Sequence, residues 1–446
     1  GGLAGNVTTL TYAVRDVVST APNTIDASAY LGSIDLTYDD DALVQAGVND
    51  KITLKGSTAG TADKLTAHAS NTNTGEVTIS GFETIEFGAS AGANIFDMKY
   101  VTGVTTLDVT DGGGTSNKLT INNASISTIN VGTAGAANFD NTIDYNITTI
   151  TGSSDEVTFN LVNLDEIDVD TDGIETVNIV AKAGAGSTAT DIVGIAASTV
   201  TNGTVNVSGT DADDEVTLDA VASGYTTVNA TALAGDLTIG LAARDAVAMT
   251  ITGGTGSNSI AMEHAGDVLD GGTTTGTTDT LVIGGSLGAT TIVDLTADDQ
   301  VVNYNGSANA TVQKNFENVD LSGATGIGGA TITGTTGADA VIKGTQNTDS
   351  INPGLGIDVI YPEAGADSIV LTESTQSVDT IVLSNTTDIK RTVDTVTGFV
   401  TGDLIHIQAT ASGQFGDLHN TTGPGTAFDG ATTGAPLAVN IAAGNQ

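Results

Sequence analysis

Between residues 334 and 370 the chain passes through four short segments that share one design. Each carries an Asp, with Gly or Asn two residues before it and an apolar residue two after it. The Asp residues are Asp339, Asp349, Asp358 and Asp367, spaced 10, 9 and 9. The preceding positions are Gly337, Asn347, Gly356 and Gly365; the following ones are Val341, Ile351, Ile360 and Ile369. Six residues of turn and three of strand make half of a flattened coil. Gly or Asn in the turn admits a positive φ that a Cβ opposes. The carboxylate and the turn carbonyls then supply oxygen ligands between stacked turns, while the apolar residues point inward. Such a ligand set suits calcium, which accepts six to eight oxygens in loose geometry.

A looser version spans Gly266-Asp267-Val268-Leu269-Asp270-Gly271-Gly272 and continues to Asp279, with three residues inserted in one turn. Asp267 and Asp279 are its candidate ligands; the competing reading is a set of Gly- and Asp-rich hairpin turns without metal. A separate candidate is Asp168-Val169-Asp170-Thr171-Asp172-Gly173. It places carboxylates at positions 1, 3 and 5 of a cation loop, but Ile179 stands where a bidentate Glu belongs. An acidic strand-to-strand loop explains Asp168, Asp170 and Asp172 equally well. Asp39-Asp40-Asp41 and the trio Asp211, Asp213 and Asp214 are weaker clusters of the same kind.

Catalytic patterns are scarce. The four His are His68, His264, His406 and His419, and no H-E-x-x-H pair exists. G-x-S-x-G occurs at 88–92 and 284–288, without the helix that a nucleophile elbow requires. No phosphate-binding loop occurs. The expectation is a protein that is not an enzyme.

The elements that must carry these turns are strands. One unit recurs: a turn, an Asp or Asn, then alternating apolar and polar residues. Ala62-Asp63-Lys64-Leu65-Thr66, Ser154-Asp155-Glu156-Val157-Thr158-Phe159 and Val378-Asp379-Thr380-Ile381 are examples. Each reads as a strand launched from an Asx turn. A second unit interleaves with it: Phe82-Glu83-Thr84-Ile85, Ile174-Glu175-Thr176-Val177 and Phe316-Glu317-Asn318-Val319. Short strands recurring in this way predict an all-β chain of ladder- or solenoid-like domains that ends in a parallel β-roll. Tandem β-sandwiches are the alternative. The expected regions are 1–150 and 151–245 (strand repeats, the second with acidic loops), 246–372 (the roll) and 373–446 (capping strands and a tail).

Composition narrows the partners. The 446 residues include 53 acidic and 12 basic side chains, for a net charge of −41, and no Cys or Trp. Phosphate binding needs clustered cations, which excludes nucleic acid, and anionic membrane surfaces fall with it. No apolar run is long enough to span a membrane. Disulfides and thiolate metal sites are impossible.

The turns at 334–370 resemble the RTX calcium roll of proteins exported by type I secretion, with Pro353 and Pro362 in place of the first Gly of two repeats. The segments 394–399 and 402–407 are similar to the strands that follow such rolls, and residues 392–446, without Lys or Arg, look like the uncleaved export signal. With its acidic, Thr- and Gly-rich strands the chain is similar to type I-secreted surface-layer (S-layer) proteins of Gram-negative bacteria. That resemblance implies an extracellular, cell-surface structural protein. Its copies assemble into a calcium-dependent homo-oligomeric lattice, anchored to lipopolysaccharide or another surface glycan. Its alternatives are a calcium-stabilised adhesin or biofilm-matrix filament and, more remotely, a β-helix polysaccharide lyase or glycosidase.

Overall fold

The computed structural model describes residues 9–14, 23–38, 51–58, 62–68, 76–88, 93–110, 117–132, 140–147, 154–162, 166–182, 191–197, 199–241, 247–273, 278–337, 340–375, 377–384, 394–400, 402–408 and 439–441. Among them every regular element is a β-strand, and nearly every pairing is parallel. Among the described residues no helix is long and apolar enough to cross a membrane. The chain forms two compact units, 1–236 with 243–245, and 237–242 with 246–446.

In the first unit the chain coils so that successive strands alternate between ladders. One ladder runs through ten described strands, from Thr9–Val14 to Tyr225–Leu233. A second has six, from Ala93–Asp97 to Val216–Val221, and a third has four, from Asn23–Asp26 to Val101–Thr102. Partners in register lie one full coil apart along the chain: Leu65 opposes Ile85 and Ile129 opposes Phe159. Pairing crosses residue 150 without a break, as Thr128–Val131 joins Glu156–Val162.

The alternation seen in the sequence becomes the inside and outside of the coil. Val157, Phe159 and Leu161 are fully buried on one strand, and Val177 and Ile179 on the next. Outward residues stack as well. Asn160 donates to Asn130 (2.7 Å), which donates to Asp108 (2.6 Å), and Asn206 donates to Asn178 (2.8 Å).

The second unit contains the roll. Ile342 opposes Ile360 and Ile351 opposes Ile369, a step of two nonapeptide turns. Successive strands therefore belong to opposite ladders. Val341–Lys343, Val359–Tyr361, Thr380–Ser384 and Leu404–Gln408 form one side. Ala330–Thr336, Ser350–Leu355, Ser368–Val370 and Asp394–Thr397 form the other. The core between them is thin: Ile342, Ile360 and Ile381 face Ile332, Ile351, Ile369 and Val396, all at most 1% exposed. Antiparallel pairing enters only locally among the described residues, where Thr291–Asp294, Val301–Tyr304 and Ser307–Ala308 fold on one another.

Two expectations need correction. The inward residue of the first turn is Ile342, whereas Val341 is 37% exposed. The wider spacing between Asp339 and Asp349 adds a single residue to this turn, and a slip of one position exchanges the two faces of a strand. Positive φ at the turn position holds for Gly356 (121°) and Gly365 (153°), but Gly337 and Asn347 do not adopt it. Asn347 instead donates its amide to the carbonyls of Gly326 (3.2 Å) and Gly328 (3.1 Å).

Candidate metal centre

The Asp that launches each strand does a structural job before any metal is considered. Its carboxylate reaches back one rung and accepts the N–H of the corresponding residue there. On one side of the roll Asp358 Oδ1 accepts from Ala340 (2.8 Å), Asp379 Oδ1 from Asp358 (3.1 Å) and Asp403 Oδ1 from Asp379 (3.1 Å). On the other, Asp349 Oδ1 accepts from Ala330 (2.6 Å), Asp367 Oδ1 from Asp349 (2.9 Å) and Asp394 Oδ1 from Asp367 (3.0 Å). The rung-launching N–H at the turn–strand junction would otherwise be a buried donor without an acceptor. Asp supplies the acceptor at the shortest reach. Ala340 holds this place in the first turn, and Asp339 lies outside the described residues.

The result is two columns of buried carboxylates. Asp349, Asp358, Asp367 and Asp379 are all at most 1% exposed. Burial pushes Asp367 up to about 8, with the charges of Asp394 and Asp349 adding to it. Burial also raises Asp349, Asp279 and Asp379 to about 6; the Glu373 and Asp403 charges add at Asp379. A buried anion without a counter-charge must take a proton or a cation.

The second oxygen of each carboxylate separates the candidates. Asp349 spends both: Thr345 donates its N–H to Oδ2 (2.6 Å) and its hydroxyl to Oδ1 (2.9 Å). Asp267 does the same, with Met249 on Oδ1 and Glu263 and His264 on Oδ2. These two act as caps. Asp367 Oδ2 and Asp279 Oδ2, by contrast, are buried and accept no hydrogen bond. Among the described residues, one group of three acidic side chains brings ligand oxygens within 4.8 Å of one another: Asp358, Glu373 and Asp379. Glu373 comes from the loop between two strands of the roll, where Ser377 donates its N–H to it (2.7 Å).

Asp168, Asp170 and Asp172 form no such group. Asp168 and Asp170 lie on the outward face of Glu166–Asp170, and Asp168 lies over Gly194, where a Cβ would come within 2.2 Å of its Oδ1. Thr171, fully buried, turns inward and shares a 2.8 Å hydrogen bond with the Tyr225 hydroxyl, which in turn reaches Ile174 O. Asp214 closes its own turn by accepting from Asp211 N–H (2.8 Å). Asp39, Asp40 and Asp41 lie outside the described residues. Ser286 of the second G-x-S-x-G is exposed on the strand Gly285–Leu287.

Sequence reasoning missed three participants. Gly253-Gly254-Thr255-Gly256-Ser257-Asn258 is a full turn of the same pattern with Asn in place of Asp. Asn258 is 1% exposed; it accepts from Leu237 N–H (3.1 Å) and donates its own N–H to Asp279 Oδ1 (2.7 Å). Glu373 sits in no repeat, so no spacing pointed to it. The Glu of the second strand unit is the third: Glu83, Glu175 and Glu317 accept the N–H of Asp63 (2.7 Å), Asp155 (2.9 Å) and Asp279 (2.9 Å) respectively. Comparisons with protein-family models, with curated proteins and with solved structures gave no match.

Proposed function

We propose that the chain is a structural protein whose roll is completed by calcium and whose copies assemble into an extracellular layer on a bacterial surface. The observation that carries this reading is the pair of stacked columns of buried Asp, in which Asp367 Oδ2 is left without a donor. Calcium would be held by Asp358, Asp367, Asp379 and Glu373 with turn carbonyls, and it would supply the positive charge that a chain of net charge −41 lacks. Coupling cation binding to folding keeps such a chain expanded where calcium is scarce and rigid where it is abundant. The type I export route, the RTX kinship and anchoring to a surface glycan belong to the same proposal. No catalytic residue is assigned.

The test is direct. Purified chain is imaged by electron microscopy after dialysis into millimolar calcium or into chelator. Two-dimensional sheets that form only with calcium support the layer, whereas fibres favour a filament. Circular dichroism and a melting temperature that are the same in both buffers would remove calcium from the account.

A further inference from the structure

Among the described residues the Asp–Glu rung pair occurs three times with one geometry and two outcomes. In each, an Asp launches a strand and the Glu that launches the next strand of the same ladder accepts its N–H: Asp63 with Glu83, Asp155 with Glu175, and Asp279 with Glu317. An apolar residue at most 1% exposed precedes each Glu: Phe82, Ile174 and Phe316. Each Glu carboxylate is thereby held against the backbone of an Asp beside the apolar core, where the cost of burying charge is high.

In the first pair the Asp is fully satisfied. Asp63 Oδ1 accepts from Ile34 N–H (2.8 Å) and Oδ2 from Ser57 N–H (2.5 Å). In the other two, Oδ2 is buried and accepts no hydrogen bond. Asp279 is 1% exposed, and the charges of Glu317 and Asp270 bear on it. Its surroundings offer further oxygens. A Cβ on Gly271 would lie 2.8 Å from Asp279 Cβ and 2.1 Å from Asn315 O, so this carbonyl and the Asp279 side chain both stand over the same glycine. Two acidic groups, a spare anionic oxygen and a nearby carbonyl are hard oxygen ligands of the kind calcium takes.

We propose that the Asp–Glu rung pair is a calcium site of its own, distinct from the turns at 334–370. It is open at Asp279–Glu317 and at Asp155–Glu175 and closed at Asp63–Glu83 by the Ser57 N–H. It uses the cation of the proposed function but none of the residues of the turns at 334–370, and it extends cation binding into the first unit.

The experiment is equilibrium dialysis of the full chain against calcium, together with melting in calcium and in chelator. Glu317→Gln and Glu175→Gln keep an oxygen to accept the Asp N–H and lose only the charge. Each is expected to bind one calcium fewer, or one at least tenfold more weakly, while Glu83→Gln binds as the parent chain does. Asp279→Asn keeps the acceptor for Asn258 and removes the spare anionic oxygen. It should melt higher than the parent in chelator and lower in calcium; an Asp with a purely structural role would melt lower in both. Unchanged stoichiometry and affinity in both Gln variants, or an Asp279→Asn chain that melts lower in both buffers, overturns the proposal. If Asp358→Asn and Asp367→Asn abolish binding while the Gln variants do not alter it, the rung-pair site fails and the calcium roll stands. If the parent chain binds no calcium, both fail.

Discussion

The ladders of the first unit and the roll of the second use the same strand and turn grammar, yet they hold together differently. A strand of the first unit such as Glu156–Val162 sends three side chains inward, Val157, Phe159 and Leu161, all fully buried. A strand of the roll such as Val359–Tyr361 sends one, Ile360. Burying one Ile contributes about 1.5–3 kcal/mol, which does not offset the conformational entropy of nine ordered residues at about 1–2 kcal/mol each for the backbone alone. The wider coil adds apolar area at every rung. The tight coil adds an Asp instead, whose carboxylate bridges rungs and accumulates charge. Shortening the repeat to a pair of nonapeptide turns thus shifts stabilisation from apolar packing to oxygen-rich turns.

The largest expected effect breaks the two units apart. Removing calcium should open the roll and leave the ladders of the first unit folded. Hydrogen exchange in chelator is then fast at Ile342, Ile360 and Ile369 and slow at Val157, Phe159 and Val177. Uniform exchange across both units would show that the difference in core thickness carries no energetic weight.

Cutting the apolar core reverses the pattern. Phe159→Ala removes a fully buried ring that meets Tyr145 edge-on at 6.4 Å. It should cost about 3–5 kcal/mol in the first unit, whether or not calcium is present. A cost that vanishes in calcium would tie this core to the cation as well.

How much of this was legible in the sequence follows from the same contrast. The parallel roll, its two-turn step and the buried Ile351, Ile360 and Ile369 follow from the nonapeptide spacing, because a repeat that short admits few packings. Val341 and Ile342 exchanged places because two adjacent apolar residues leave the facing of a strand undecided until the neighbouring rung fixes it. The Asp residues marked the strand starts correctly, but their bonds to the preceding rung were invisible: Asp349 and Asp367 look alike in sequence, and only Thr345 makes one a cap and leaves the other open. Glu373 was hidden because it stands in a non-repeated loop. For Asp168, Asp170 and Asp172 the sequence left a cation loop and an acidic strand-to-strand loop equally open; strand alternation sets Asp168 and Asp170 side by side on an outward face.

Removing a cap gives a smaller effect in the first unit. Asp63→Ala deprives Ile34 N–H and Ser57 N–H of their acceptor, and each buried donor left alone costs about 1–3 kcal/mol. The loss should be read by chemical denaturation with the same result in calcium and chelator, since Asp63 has no spare oxygen. A calcium-dependent loss would extend the rung-pair site to all three pairs.

Acidity sharpens the comparison from the roll side. Asp367 sits at about 8, and Asp349 and Asp379 at about 6, in the folded chain, against about 3.9 unfolded. The folded state thus holds protons that the unfolded state releases, so calcium-free stability is greatest at low pH and is lost as pH rises from about 4 towards 8. The calcium-free roll should melt higher at pH 5 than at pH 8. With saturating calcium the order reverses, because the cation occupies ionised carboxylates and protons compete with it. A calcium-free melting temperature that climbs with pH would contradict the burial of these groups.

The smallest effect belongs to the outward face of the first unit. Asn206 donates to Asn178 (2.8 Å) and stands opposite Asn229 on the following strand. This polar ladder is partly exposed, so water can replace each bond that is lost. Cross-strand pairs of this kind contribute about 0.2–1 kcal/mol. Asn206→Ala should therefore lower the denaturation midpoint slightly, by the same amount in calcium and in chelator. A loss near that of Phe159→Ala would mean that the ladder, and not the three inward residues of each strand, holds the wide coil in register.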